Sequence, residues 1–210
     1  MIEALGDGLW HWTLRHPDWH PRSDFGAQVG CYAVHQGGGT VLIDPLLEPA
    51  IAAELDDVIV GDVVIAITLP YHVRDAATAV KRWGGTVIGH PDVARRLPEG
   101  TPFSDEPRLG LRLHAVPRTK ERPLELPDAR ALAFGDRIVG ADGGLRFWMQ
   151  REVTDERRAW YRRVAVPLLE PFLDIDAERV LVTHGPPVLR DGRRALADAL
   201  AAEPWYHRPS

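Results

Sequence analysis

The sequence predicts an α/β (α+β) fold of two halves layered helix, sheet, sheet, helix, and three observations predict it. A continuous β-branched run at Val63 to Thr68 precedes a helically spaced segment and a second short apolar run at Thr86 to Ile88, the alternation of an α/β unit. From Leu111 to Met149 the chain breaks into short apolar runs separated by Pro, Gly and Asp, the pattern of an antiparallel meander. A helical stretch, a buried-type strand and a last helix then follow between Thr154 and Ala202, repeating the combination of sheet and helix in the second half.

Taken in order, Gly8 to Arg15 alternates apolar and polar residues around Trp10 and Trp12 and predicts a strand. His16 to Gly26 is rich in Pro, Asp and aromatic residues and reads as a loop. Val29 to His35 and Thr40 to Ile43, joined by Gln36-Gly37-Gly38-Gly39, predict a hairpin that ends in Asp44-Pro45. After Pro70, the spacing of Ala76, Val80 and Trp83 predicts a helix that Gly84 and Gly85 stop. Pro91 to Leu97 reads as a short helix with Pro in its first turn.

The meander comprises Leu111 to Val116, Leu124 to Leu126, Ala131 to Phe134, Ile138 to Val139 and Leu145 to Met149. Thr154 to Leu169 predicts a helix with Asp155 and Glu156 at its positive end, an apolar stripe of Trp160, Val164 and Leu168, and a bend at Pro167. Arg179 to Thr183 predicts a buried strand, and Asp191 an N-cap for the last helix. The tail from Glu203 to Ser210 is polar and aromatic and carries no element signal.

With 210 residues and no repeat, low-complexity tract or linker, the chain reads as one domain spanning residues 1–210. At 45% hydrophobic residues it has the material for a sizeable core, which argues against disorder. The net charge of −5 argues against nucleic-acid binding. No segment has the length and apolarity to cross a membrane, and Met1 to Trp10 lacks the basic and apolar regions of a signal peptide. Cys31 is the lone cysteine, so no internal disulfide exists and a cytoplasmic setting is expected.

Ligand sites in open α/β sheets gather beyond the carboxyl ends of strands, which directs attention to two loops. The first, Thr68-Leu69-Pro70-Tyr71-His72-Val73-Arg74-Asp75, carries an imidazole, a carboxylate and a guanidinium. Arg74 and Tyr71 are its candidate substrate-binding residues, Arg74 as the receptor of an anion. The alternative is that His72 is a surface loop residue and Asp75 only favours the helix start. The second loop, Thr183-His184-Gly185-Pro186, follows the last buried strand, and His184 there is a metal ligand, a general base or a turn cap.

Between the short strands, Asp136 is a candidate metal ligand, whereas Asp142-Gly143 reads as a turn. Asp44 is placed to orient a metal ligand by hydrogen bonding or, alternatively, to end its strand. Cys31 and His35 fall four apart on one strand face, either as a thiol–imidazole pair or as ordinary core. Serine is sparse and none sits in a nucleophile elbow, and the glycine clusters match neither a Walker loop nor a dinucleotide fingerprint.

These pieces resemble the metallo-β-lactamase superfamily over most of the chain. Val41 to Pro45 is similar to its early strand ending in Asp. Val64 to Thr68 is similar to the strand leading into its metal motif, Phe134-Gly135-Asp136 to the strand ending in its bridging Asp, and Val180 to Gly185 to its last strand ending in His-Gly. The resemblance implies a four-layer αββα sandwich and one or two bound metals, zinc or another divalent ion, that activate water.

The family motif Thr-His-x-His-x-Asp-His, laid on Thr68 without a gap, places Leu69, Tyr71, Val73 and Arg74 at the ligand positions, so the motif is degenerate here. The stretch Pro117 to Leu124, where a further His is implied, holds Arg118, Lys120, Glu121 and Arg122 instead. Two readings follow. One is a reduced metal-dependent hydrolase with His72, Asp136 and His184 as ligands, with Asp75 as a fourth candidate. The other is a metal-free protein that binds an anionic small molecule or partner through Arg74 and His184, with Lys120 or Arg118 adding charge if the fold brings them close.

Overall fold

The computed structural model describes residues 1–206, and all structural statements below concern these. The chain opens with β1 (Glu3–Gly6), β2 (Leu9–Arg15), β3 (Gln28–Gln36) and β4 (Gly39–Ile43), an antiparallel meander. After α1 (Pro49–Asp56) come β5 (Val63–Ile67), a 3-10 turn at Pro70–His72, α2 (Ala76–Trp83), β6 (Thr86–Gly89), a 3-10 helix at Pro91–Arg96, and β7 (Phe103–Ser104). Strands β4 to β7 run parallel and complete a seven-stranded sheet in simple sequence order.

The second half contains β8 (Arg112–Leu113), β9 (Leu124–Leu126), β10 (Ala131–Phe134), and the hairpin of β11 (Ile138–Ala141) and β12 (Gly144–Phe147). Helices α3 (Asp155–Trp160) and α4 (Val166–Leu169) follow, joined through a π-helical turn at Tyr161–Ala165, and then come β13 (Arg179–Val182) and α5 (Gly192–Ala201). Its sheet has the order β13-β10-β9-β8, with β13 parallel to β10.

Side-chain alternation turns these two sheets into four layers. Val41, Ile43, Val64, Ala66 and Ile88 of the first sheet meet Leu124, Leu126, Ala131, Ala133 and Leu181 of the second in a central core. The opposite face of the first sheet, with Leu42, Ile65, Ile67 and Val87, packs on Ile51 and Leu55 of α1 and Ala76 and Ala79 of α2. The opposite face of the second, with Leu132, Phe134, Val180 and Val182, packs on Tyr161, Ala165 and Leu169 and on Leu196, Ala199 and Leu200 of α5. Residues of β4, β5, β10 and β13 therefore serve a core on each side, which is why their runs are continuously apolar. The predicted helix–sheet–sheet–helix layering is the observed one.

Three local expectations are corrected, and one open alternative is decided. The strand read over Leu111 to Val116 shrinks to Arg112–Leu113, because the chain turns at Val116 to Thr119. The helix read from Thr154 to Leu169 is interrupted by the π turn, and its buried stripe is Tyr161, Ala165 and Leu169. Pro167 has no N–H for the carbonyl one turn earlier, which accounts for the irregular ladder there. Asp191 occupies the cap position with φ +55 but makes no side-chain cap bond; the first N–H groups of α5, from Gly192 and Arg193, donate to the carbonyls of Glu178 and Ala177. Cys31 and His35 do not pair. The thiol donates to the Asp44 carbonyl, whereas His35 meets the Val58 carbonyl and the Trp10 ring, and burial pushes the thiol up to about 11.

No described helix is long and apolar enough to cross a membrane. Of the tail, Trp205 joins the second half through backbone bonds with Phe147 and Met149. Residues 207–210 lie outside the described part.

Candidate functional site

The loops at the carboxyl ends of β4, β5, β10 and β13 converge where the two sheets meet. The first contribution is Asp44, which follows β4 with φ +46 and is buried. Its Oδ1 accepts the Thr68 backbone N–H at 2.8 Å, and its Oδ2 accepts the Thr68 hydroxyl and stands 2.9 Å from His72 Nδ1. His72 closes the 3-10 turn after β5, which Pro70 starts with a preset φ. Its ring is thereby held with Nε2 3.4 Å from Asp136 Oδ1.

Asp136 follows β10 across Gly135. A β-carbon on Gly135 would lie 2.7 Å from the Thr68 hydroxyl, so a glycine is required for the two halves to approach this closely. The Gly135 N–H donates to Glu121 Oε1 at 2.9 Å, which fixes the approach of the Asp136 loop from behind. The other Asp136 oxygen, Oδ2, accepts the Tyr71 hydroxyl at 2.6 Å. His184 completes the set: its Nε2 lies 3.5 Å from Asp136 Oδ1, and its ring sits between Phe25 and Trp148. Gly185 follows with φ +77, against Gly140, where any side chain would collide with the Gly140 carbonyl.

The electrostatics follow from this geometry. Burial alone would lower the His72 pKa, but the Asp136 and Asp44 carboxylates outweigh it and raise it to about 9. Burial would likewise raise Asp136, yet the neighbouring His72 and His184 hold it well below the usual carboxylate range. His72 is thus an imidazolium between two carboxylates, a charged clip joining the loop after β4, the loop after β5 and the loop after β10. Behind it, burial and the nearby Asp136 charge push Glu121 up to about 7 against the pull of Arg137.

These groups form the floor of a cleft of about 710 Å³. Its walls are Arg74, Tyr71 and Trp148 on one side and the loop with His16, His20 and Phe25 on the other. Arg74 has φ +39 and anchors its Nη1 on the Asp44 carbonyl at 2.8 Å, while its Nε and Nη2 are buried without a hydrogen-bond partner among the described residues. Asp136 Oδ1, Trp148 Nε1 and His184 Nδ1 are in the same condition. Polar atoms left so inside a fold cost free energy and are concentrated here at one place.

No protein-family profile matches the sequence, and no curated protein does. Solved structures do match. A metallo-β-lactamase from Pontibacter korlensis superposes with a TM-score of 0.65 at 16% identity over 96% of this chain and 97% of that one. The mono-zinc form of a metallo-β-lactamase from Pseudomonas aeruginosa gives 0.61 at 16% identity over 96% and 94%. A flavodiiron core from Synechocystis gives 0.64 at 15% identity over 96% of this chain and 60% of its own.

The chain has the metallo-β-lactamase fold. Within that fold, the residues do not fit the metals it usually implies. Leu69 is buried beside Gly135, Tyr71 is engaged by Asp136, and Arg74 brings a positive charge, so the degenerate motif supplies no cage. Asp75 lines the cleft, but its Oδ2 is engaged by the Leu47 N–H at 2.8 Å. His72, Asp136 and His184 are brought together, but Asp136 Oδ1 stands between the imidazoles as a shared neighbour. Among the described residues no three His, Cys, Asp or Glu side chains are grouped to hold a metal ion.

Lys120 and Arg118 do not join Arg74. Lys120 pairs with Asp92 at 2.6 Å, and Arg118 lies beside a different cavity. Asp44 does contact His72, through Oδ2 at 2.9 Å from Nδ1. Sequence reasoning missed Glu121 as a buried support and the His16–Phe25 loop as a wall. The loop's clustered His and aromatic residues were its only signal, and Glu121 gave none beyond its place in the stretch where a His is implied.

Proposed function

We propose that the chain is a hydrolase-like protein that receives an anionic small molecule in this cleft, without a resident metal. The observation that carries the reading is Arg74, a guanidinium at the cleft wall with one nitrogen tied to the backbone and two left unsatisfied. A carboxylate or phosphate satisfies two such N–H groups together, in the bidentate geometry that makes Arg the preferred anion receptor. The charge of His72 beneath is compensated by Asp44 and Asp136, so the Arg74 guanidinium is the group that meets an anion.

Of the imidazoles on the cleft, His184 is the one beside Asp136, and its Nδ1 has no partner among the described residues, so we assign it the role of accepting or delivering a proton to the bound molecule. Tyr71, half-exposed at the rim and locked by Asp136, shapes the opening. A cytoplasmic setting fits the same reading, since Cys31 is a free thiol.

A second reading has one specific observation in its favour: two imidazole nitrogens lie 3.4 and 3.5 Å from the same carboxylate oxygen. In a reduced hydrolase His72, Asp136 and His184 would close round a single zinc or other divalent ion. Elemental mass spectrometry on protein purified without chelator or affinity tag, beside a His184→Ala variant, separates the two. The first reading expects less than about a tenth of an equivalent of any transition metal. Near-stoichiometric metal that His184→Ala removes would overturn it in favour of the second.

A further inference from the structure

Away from the cleft, on the outer face of the second half, the helix stripe of Trp160, Val164 and Leu168 lies at the edge of the core, with Leu168 packed against it. Trp160 is 40% exposed, although large apolar side chains are otherwise rarely so placed among the described residues. With Phe147 of β12 and Val116, this stripe walls a slot of about 170 Å³. That is close to the volume of an engineered apolar cavity of roughly 150 Å³ that takes up benzene. Its lining is apolar except at the mouth, where Arg118, Thr119 and Arg137 stand.

One of the two arginines is unpaired among the described residues and the other is held only by a long ion pair. Arg118 is exposed, lies in the left-handed region at φ +64, and has no ion pair or hydrogen bond among the described residues. Arg137 approaches Glu121 only at 3.9 Å and lies over the Phe147 ring at 6.0 Å, which sets its guanidinium above the slot wall. An apolar slot with two guanidinium groups at its opening selects for a molecule apolar at one end and anionic at the other. A neutral apolar molecule would leave both charges unused, and a small hydrophilic anion would leave the slot empty.

We infer that this slot is a second binding site, distinct from the cleft, for a short amphipathic carboxylate: an acyl chain of about six carbons inserts between Trp160, Val164 and Phe147, and its carboxylate lies between Arg118 and Arg137. The size limit follows from the slot volume. The inference does not rest on the reading of the cleft, because no lining residue is shared between the two.

Titration of ¹⁵N-labelled protein with sodium hexanoate, with 1-hexanol and sodium acetate as controls, tests it by amide and indole chemical shifts. Hexanoate is expected to perturb the Trp160 indole and the amides of Val164 to Leu169, with at least tenfold higher affinity than either control. Val164→Phe, which fills the slot, is expected to weaken hexanoate at least tenfold. Arg118→Ala, at an exposed position, is expected to bring hexanoate down to the level of hexanol. Equal binding of hexanoate and hexanol, shifts confined to the Arg74–His184 cleft, or saturation unaffected by both variants would overturn the inference. So would a concentration-dependent dimer that buries Trp160, since a second copy would then be the occupant.

Discussion

His72 and His184 follow equivalent buried strands in the two halves, and both face Asp136, yet their surroundings differ. His72 is sealed: both ring nitrogens stand near carboxylate oxygens, and its backbone N–H is used by the Leu69 carbonyl. His184 is half-buried, tilted or edge-on to two aromatic rings, with Nδ1 unpartnered among the described residues. The first imidazole ties the halves together, and the second is the one to which we assign the proton-transfer role. The same residue type, beyond the carboxyl end of a buried strand in each half, meets a different environment in each.

The sharpest way to break this contrast is to remove the support of the sealed imidazole. Asp44→Ala leaves a buried imidazolium with one fewer counter-charge and strips the acceptor from Thr68. Breaking a buried charge pair from one side is expected to cost about 3–5 kcal/mol, readable in urea unfolding. A loss below about 1 kcal/mol would show that His72 is not the clip described.

Glu121 gives the next largest effect, and it has a defined sign. Its folded pKa stands near 7, above the ordinary value of 4.5, so the native state holds this proton more tightly than the unfolded chain. Its contribution to stability is therefore fully present below about pH 4.5 and is lost as pH rises through 7. At about 1.4 kcal/mol per pKa unit the loss is of order 3–4 kcal/mol. Glu121→Gln, which keeps an acceptor for Gly135, is expected to flatten this part of the stability–pH curve and to be the more stable protein at pH 8. Parallel curves for the two proteins would contradict the account of the buried support.

The smallest effect on stability belongs to the open imidazole. His184→Ala is expected to change unfolding free energy by no more than about 1 kcal/mol, as for a side chain that closes no network. Its effect lies in function: binding of an anion in the cleft persists while any proton-transfer step fails. A His184→Ala protein as unstable as Asp44→Ala would erase the distinction between the two imidazoles.

The fold was largely legible in the sequence, because Val63 to Ile67 and Arg179 to Val182 must face a core on both sides and say so by being apolar throughout. What periodicity could not decide was which of two adjacent stripes on the long helix is buried. Trp160, Val164 and Leu168 have the same spacing as Tyr161, Ala165 and Leu169, and the larger residues drew the expectation to the wrong one. Tyr161 wins because its hydroxyl reaches the carbonyls of Ala199 and Leu200 while its ring packs on Phe147, a long-range contact that no local pattern records.

The candidate site was legible at the strand ends, where His72, Asp136 and His184 stand, and where Asp44 was placed to orient one of them. The pairing of distant loops was not. Lys120 prefers Asp92, Asp75 turns to Leu47, and the His16–Phe25 loop folds over the cleft through bonds such as Trp19 Nε1 to the Phe25 carbonyl. The first two outcomes depend on partners far away in sequence, and the third on a local bond that no periodicity records.

The most direct test of the central claim is calorimetric titration of inorganic phosphate and of citrate into the protein in the presence of a strong chelator, beside Arg74→Ala. A metal-free anion receptor predicts binding unchanged by the chelator and weakened at least tenfold by Arg74→Ala. Binding that the chelator abolishes and Arg74→Ala leaves intact would contradict it and return the cleft to a metal-dependent chemistry.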